Sequence, residues 1–167
     1  TSQAYRDALD QMDTRGRLVQ LLEGADKSSV ADLAVRARTA RDLIYRATGT
    51  KEIRQQVADA YRGLEKEFGR NVAVAVRSSA TSEDLPNASF AGQHDSFINV
   101  RGEVALFEAC RRCFASLFTH RAIVYRSQNG VDHSNVALSA AVMTMVRADR
   151  AASAGIFTLD PESGFSD

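Results

Sequence analysis

An α+β fold is predicted for this chain, with helices gathered beside a mostly antiparallel or mixed sheet. Three observations predict it. Residues 1 to about 69 repeat apolar side chains at intervals of three and four, the helical period. Four short runs, Val72 to Val76, Ser96 to Val100, Val136 to Val146 and Ala154 to Leu159, have the length and the β-branched or alternating character of strands. Between the second and third lies a strongly periodic stretch, Glu103 to Phe118, continuing or kinking into a further helix towards Gln128. Helices first and strands later is the α+β pattern.

The helices come in order. Thr1 or Ser2 caps a first helix to about Asp10, with Tyr5 and Leu9 on one face. Leu18, Val19, Leu21 and Leu22 mark a second, which Gly24 stops. Ser28 or Ser29 caps a third, with Asp32 in its first turn. Val30, Leu33, Ala34, Ala37, Ala40, Leu43, Ile44 and Ala47 make its apolar face, and Gly49 ends it. A fourth runs from Thr50 to Phe68 on Ile53, Val57, Ala60, Tyr61, Leu64 and Phe68, with Gly69 as its stop. The interleaved charges, Arg36, Arg38 and Arg41 among them, read as solvated faces with i,i+4 pairs.

From residue 71 the pattern changes. Val72 to Val76 is a strand, and Arg77 to Asp84 a small polar loop with the arginine at its mouth. The chain passes through Leu85-Pro86-Asn87 and Phe90-Ala91-Gly92-Gln93, then returns as the strand Ser96 to Val100. Arg101-Gly102 is a turn. Val104, Leu106, Phe107, Cys110, Phe114 and Leu117 form the face of the next helix, which packs across the sheet. Asn129-Gly130 is a turn dipeptide, Val136 to Val146 a third strand, and Arg147 to Arg150 another turn. Ala154 to Leu159 is the last strand, ending at Asp160-Pro161.

Composition excludes several classes of partner. Lys and Arg number 21 against 21 Asp and Glu, so no bulk charge is offered to nucleic acid or to an anionic membrane. No apolar run approaches the roughly 20 residues that span a bilayer. Cys110 and Cys113 form one C-x-x-C inside a helical pattern; two thiols packed on a helix face are the simpler reading than a metal or redox centre. Free thiols suit a reducing, cytoplasmic setting. The chain starts at Thr1 without methionine and stops just past an expected strand, and so reads as part of a larger protein.

The chemistry is expected around the loop. Arg77 is followed by Ser78, Ser79, Ala80, Thr81 and Ser82. A guanidinium beside small hydroxyls and backbone amides suits phosphate; the plain alternative is a surface salt bridge. Glu83 and Asp84 could hold Mg²⁺ or simply face water. Gly92 permits close backbone approach or marks an ordinary turn. His94, His120 and His133 enter no nucleophile-base pattern, and Asp160 to Glu162 reads as a turn.

A resemblance goes further. Val76-Arg77-Ser78-Ser79-Ala80-Thr81, Glu83-Asp84-Leu85-Pro86, Ala88-Ser89-Phe90-Ala91-Gly92-Gln93 and Asn99-Val100 resemble the nucleotide-binding domain of the phosphoenolpyruvate synthases. So do Ala115 to Phe118, Arg121-Ala122-Ile123, Tyr125-Arg126, Asp132-His133, Val136 to Ser139, Met145-Val146-Arg147 and Glu162 to Phe165. Pyruvate phosphate dikinases and rifampin phosphotransferases share the domain. The match is dense from residue 72 on and loose before it. It implies an ATP-grasp type portion at 71–167, a helical segment at 1–70, and one incomplete domain overall. It implies Mg·ATP as ligand, with the β-phosphoryl group passed to a histidine on another domain of the same polypeptide. A barrel domain then phosphorylates pyruvate, giving phosphoenolpyruvate, AMP and phosphate. By position, Arg77 would hold ATP phosphates, and Gly92 and Ser96 would lie in the phosphate-covering loop with Gln93 beside them.

The sequence departs from the family in two ways. Met143 and Thr144 stand where the family usually has Gln then Arg, and the Gln position faces the nucleotide. A thioether can pack on adenine instead. The family's early Gly-Lys segment, its later metal- and phosphate-holding Glu, Gln and Arg, its catalytic histidine and its pyruvate barrel have no counterpart among these residues. The expectation is therefore an enzyme part with little activity of its own. A related phosphotransferase, or a non-catalytic nucleotide-binding module, is the alternative.

Overall fold

The computed structural model describes residues 1–23, 29–81, 84–85, 88–89, 92–152, 154–157, 159 and 163. Four helices open the chain: α1 (Ser2–Gln11), α2 (Thr14–Glu23), α3 (Val30–Ala47) and α4 (Lys51–Phe68). Three start on hydroxyl caps that satisfy an otherwise unpaired first-turn amide. Ala4 N donates to Thr1 Oγ1, Asp32 N to Ser29 Oγ and Ile53 N to Thr50 Oγ1, each at 3.2 Å. Gly69 ends α4 at φ +98°, a conformation glycine adopts without the Cβ penalty.

The strands are β1 (Val74–Ala80), β2 (Asp84–Leu85), β3 (Ala88–Ser89), β4 (Phe97–Val100) and β5 (Leu138–Thr144). The helices α5 (Glu103–Ala115) and α6 (His120–Gln128) are joined by a 3₁₀ turn at Ser116–Phe118, the kink expected there. The main sheet has the order β4-β1-β5 and is antiparallel throughout; β2 and β3 make a separate hairpin. Val74 pairs with Val100 and Val76 with Phe97, so β4 carries one extra residue in a bulge where Asn99 has φ +56°.

Alternation puts Val74 and Val76, both 0% exposed, on one face of the sheet. There α5 packs against all three strands, α1 reaches β5, and α3 and α4 pack on α5. One core runs through both regions, from Tyr5, Ile44 and Tyr61 to Leu106, Leu117 and Leu138. Each such large side chain contributes about 1.5–3 kcal/mol on burial. Two polar links pin the helices to this layer. The Tyr61 hydroxyl donates to Val72 O (2.8 Å) and accepts from Gly102 N (2.9 Å), tying α4 to the entry of β1 and the start of α5. Arg111 lies 3.6 Å over the Tyr45 ring and donates to Tyr45 O, while the Tyr45 hydroxyl donates to Glu108 at 2.6 Å.

The structure corrects four expectations. The first strand does not stop at Val76: it continues through Ser78-Ser79 to Ala80, because that stretch pairs residue for residue with β5. Arg77 is therefore mid-strand rather than at a loop mouth. The third strand is shorter than Val136 to Val146. Among the described residues of 154–159 none joins a strand, and Ile156 and Phe157 are exposed; no ladder partner reaches them. Val30, Ala34, Ala60, Phe68 and Val104 are exposed despite their apolar period; Val30, Phe68 and Val104 sit in terminal turns that overhang the core. The expectations on Gly24, Ser28, Ser82, Glu83, Pro86, Asn87, Phe90, Ala91, Asp160, Pro161 and Glu162, and on the side chain of Asp84, fall outside the described residues.

Candidate functional site

The sheet has a second face, and the two expected ligand contacts most distant in sequence meet there. Arg77 is opposite Ala141 and Ala75 opposite Met143. Arg77 and Met143 thus point to the same side, away from Val74 and Val76. Both are exposed, Met143 by 48%. Arg77 forms no ion pair among the described residues. On the other side of β1 the ladder begins with Val76 opposite Phe97, and the exposed Ser96 immediately precedes that pair. Arg77 and Met143 therefore share the open face of the β1–β5 ladder, and the exposed Ser96 immediately precedes β4 on the other side of β1.

The expected phosphate cradle after Arg77 does not form in the way its composition suggests. Ser78, Ser79 and Ala80 extend the ladder with β5 instead of opening into an anion-binding loop. The Thr81 hydroxyl is engaged as well, since Ala137 N donates to it at 3.1 Å, and Thr81 N donates to Ala137 O at 2.9 Å. What remains on the open face is the guanidinium with Ser79, both exposed.

The second group of expected contacts, Gly92, Gln93 and Ser96, leads into β4. Gly92 has φ +71° and is exposed, a left-handed position that suits glycine. The three residues after it are tied to the 3₁₀ turn and the start of α6. Gln93 O accepts from Thr119 Oγ1 (3.3 Å) and from Arg121 Nε (3.0 Å). Arg121 Nη2 donates to Asp95 Oδ1 at 3.3 Å. The ring of His94 is buried with Nδ1 3.4 Å from Ser116 O. Thr119 also caps α6, accepting from Ala122 N. The sequence reading missed Thr119 and Arg121 as supports; a hydroxyl cap three residues before an apolar run was the available signal.

Other titratable groups lie apart. Cys110 and Cys113 are buried and free, and burial pushes their thiols up to about 11 and about 12. They are core residues, as the simpler reading had it. Arg126 is fully buried; it donates from Nε to His133 Nδ1 at 3.0 Å and stacks on Phe118, and burial lowers its pKa to about 10. An apolar cavity of about 350 Å³ opens between α1, α4, α5 and β5, lined by Ile53, Val57, Leu106 and Val142 among others. None of Arg77, Gly92, Gln93, Ser96 or Met143 lines it, since it lies on the covered face. Among the described residues no group of three or more His, Cys, Asp or Glu could hold a metal, and no helix is long and apolar enough to cross a membrane.

Relatives share the whole chain. It is 43% identical over 168 residues to a phosphoenolpyruvate synthase of Helicobacter pylori, covering 100% of this chain and 21% of that protein. It is 44% identical over 168 residues to one from Aquifex aeolicus, covering 100% of this chain and 20% of that protein. Against the phosphoenolpyruvate synthase of Escherichia coli it is 44% identical over 165 residues, covering 99% and 21%. The chain thus spans about a fifth of the length of these relatives. Residues 1–167 match the family described as pyruvate phosphate dikinase, AMP/ATP-binding domain, and this protein belongs to that family.

Proposed function

We propose that this chain forms one wall of an ATP-grasp type nucleotide cleft, and that Mg·ATP lies along the open face of the β4-β1-β5 sheet. The observation that carries the reading is that Arg77 and Met143 share the open face of the sheet, with the exposed Ser96 at the entry to β4, in a chain of an AMP/ATP-binding family. A guanidinium without an ionic partner among the described residues fits a triphosphate, for which it offers charge and directed donors. Met143 sets a polarizable apolar surface beside it, suited to a base. Gly92, Gln93 and Ser96 cover the phosphates from the side of β4. Mg²⁺ enters with the phosphates, as is usual for a cation that keeps few protein ligands; the described residues offer it no carboxylate cluster.

In this reading residues 71–167 carry the nucleotide contacts, and helices 1–70 brace the sheet from behind. The complete protein acts as a phosphoenolpyruvate synthase, in keeping with the names of its relatives. Pyruvate, ATP and water become phosphoenolpyruvate, AMP and phosphate through a phosphohistidine on another domain of the same polypeptide. This chain's share is charge neutralisation and positioning, which dominate phosphoryl transfer. Its free buried thiols fit a cytoplasmic setting.

Calorimetric titration of Mg·ATP into the intact protein tests this. Saturable binding is expected, with the 167-residue segment alone binding weakly because it supplies only one wall. An intact protein that binds no nucleotide, or a segment that alone binds at micromolar Kd, sinks the proposal.

A further inference from the structure

We propose that Arg121 is a positioning residue for the nucleotide site, holding the Gly92–Ser96 segment in register with Arg77. The inference rests on the reading of the open face as the ATP wall. Arg121 sits in the first turn of α6, where the helix dipole disfavours a cation. It is exposed, so packing does not explain its placement. Its guanidinium instead reaches back across 28 residues of sequence, with Nε on Gln93 O and Nη2 on Asp95 Oδ1.

The two contacts bracket the segment. Thr119 Oγ1 adds a second donor to the same Gln93 carbonyl, which fixes that peptide plane against α6. All peptides described are trans. The N–H that follows a trans carbonyl points the opposite way, so the His94 amide is turned from α6. Asp95, held by the other end of the guanidinium, immediately precedes Ser96. Ser96 is exposed and leads into Phe97, which pairs with Val76, the residue before Arg77. One exposed side chain thus sets the orientation of the peptide after Gly92 and the approach to Ser96. An ordinary surface ion pair would connect two side chains and contribute little; this one also holds a main-chain carbonyl.

The test compares Mg·ATP affinity and thermal midpoint in the intact wild type, Arg121→Ala, Arg121→Lys and Arg77→Ala. Arg121→Ala is expected to weaken Mg·ATP about tenfold, since small misplacement of a positioning contact is costly. Its midpoint should stay close to wild type, and Arg121→Lys, which keeps one donor, should recover part of the affinity. Wild-type affinity in Arg121→Ala overturns the proposal. So does a loss of affinity that follows a falling midpoint equally in both Arg121 variants, which marks a merely structural contact. If Arg77→Ala loses nucleotide and Arg121→Ala does not, the ATP wall stands and the bracket falls. If wild type binds no Mg·ATP, both fall.

Discussion

Arg77 and Met143 are diagonal neighbours across the β1–β5 ladder, on the face of the sheet opposite Val74 and Val76: Arg77 pairs with Ala141, and Met143 with Ala75. Such diagonal pairs stand about 7–8 Å apart, less than the length of a nucleotide. One ligand can touch both.

Arg77→Ala should lower Mg·ATP affinity by roughly 10- to 100-fold, the range of a charge-assisted hydrogen bond of about 1.5–3 kcal/mol. The side chain is exposed and unpaired among the described residues, so the thermal midpoint should hardly move. Calorimetry on the intact protein reads the first quantity and a melting curve the second. Undiminished binding would show that Arg77 does not meet the phosphates.

Met143→Gln should raise ATP affinity a few-fold, as a side-chain amide gains about 0.5–1.5 kcal/mol by pairing with a polar edge of the base. Stability should stay within about 0.5 kcal/mol, since Met143 is on the open face. Weaker binding by the variant would mean that the thioether's packing on the base outweighs any polar contact.

The thiols make a pH prediction. Burial raises Cys110 to about 11 and Cys113 to about 12 from an ordinary 9.0. The unfolded chain then loses these protons first as pH rises. Their contribution to stability is whole below about pH 9 and is lost as pH climbs through the folded values. Denaturant midpoints should fall from pH 9 towards 11, more in wild type than in a Cys110→Ala, Cys113→Ala double variant. At pH 8 neither thiol should react with a disulfide reagent until the protein is unfolded. Rapid labelling of the folded protein would contradict the core assignment.

His133→Ala removes the acceptor of the buried Arg126 Nε. An unsatisfied buried donor costs about 1–3 kcal/mol, and in a chain of this size each kcal/mol shifts the midpoint by about 2–4 °C. The variant should melt several degrees lower with Mg·ATP affinity unchanged below the transition. A midpoint equal to wild type would show that Arg126 finds another partner.

Much of the helical layer is legible in the sequence because its signals are local. Thr1, Ser29 and Thr50 each cap the helix they precede, and Ile44, Tyr61 and Leu106 recur at the period of the face they bury. The extension of β1 is not legible. Ser78-Ser79-Ala80 has loop composition, and only pairing with residues about 60 positions away makes it a strand; strand preference yields to tertiary partners in this way. The reverse holds at Ile156 and Phe157, which are apolar enough for a strand but join no ladder among the described residues. Arg121 was readable only as part of a motif, because its role depends on Gln93 and Asp95 across a folded loop.

By itself the sequence determined the α+β class, the presence and order of the helices, the packing of the two cysteines on a helix and the kinship carried densely by residues 72 to 167, all matters of short-range pattern and residue chemistry. Only the tertiary structure decided that Arg77 lies within a strand, that it shares an open face with Met143, and that Arg121 reaches Gln93 and Asp95. The physical reason is the antiparallel ladder. Its register sets which side chains share a face, and that register is chosen by contacts between residues far apart in the chain.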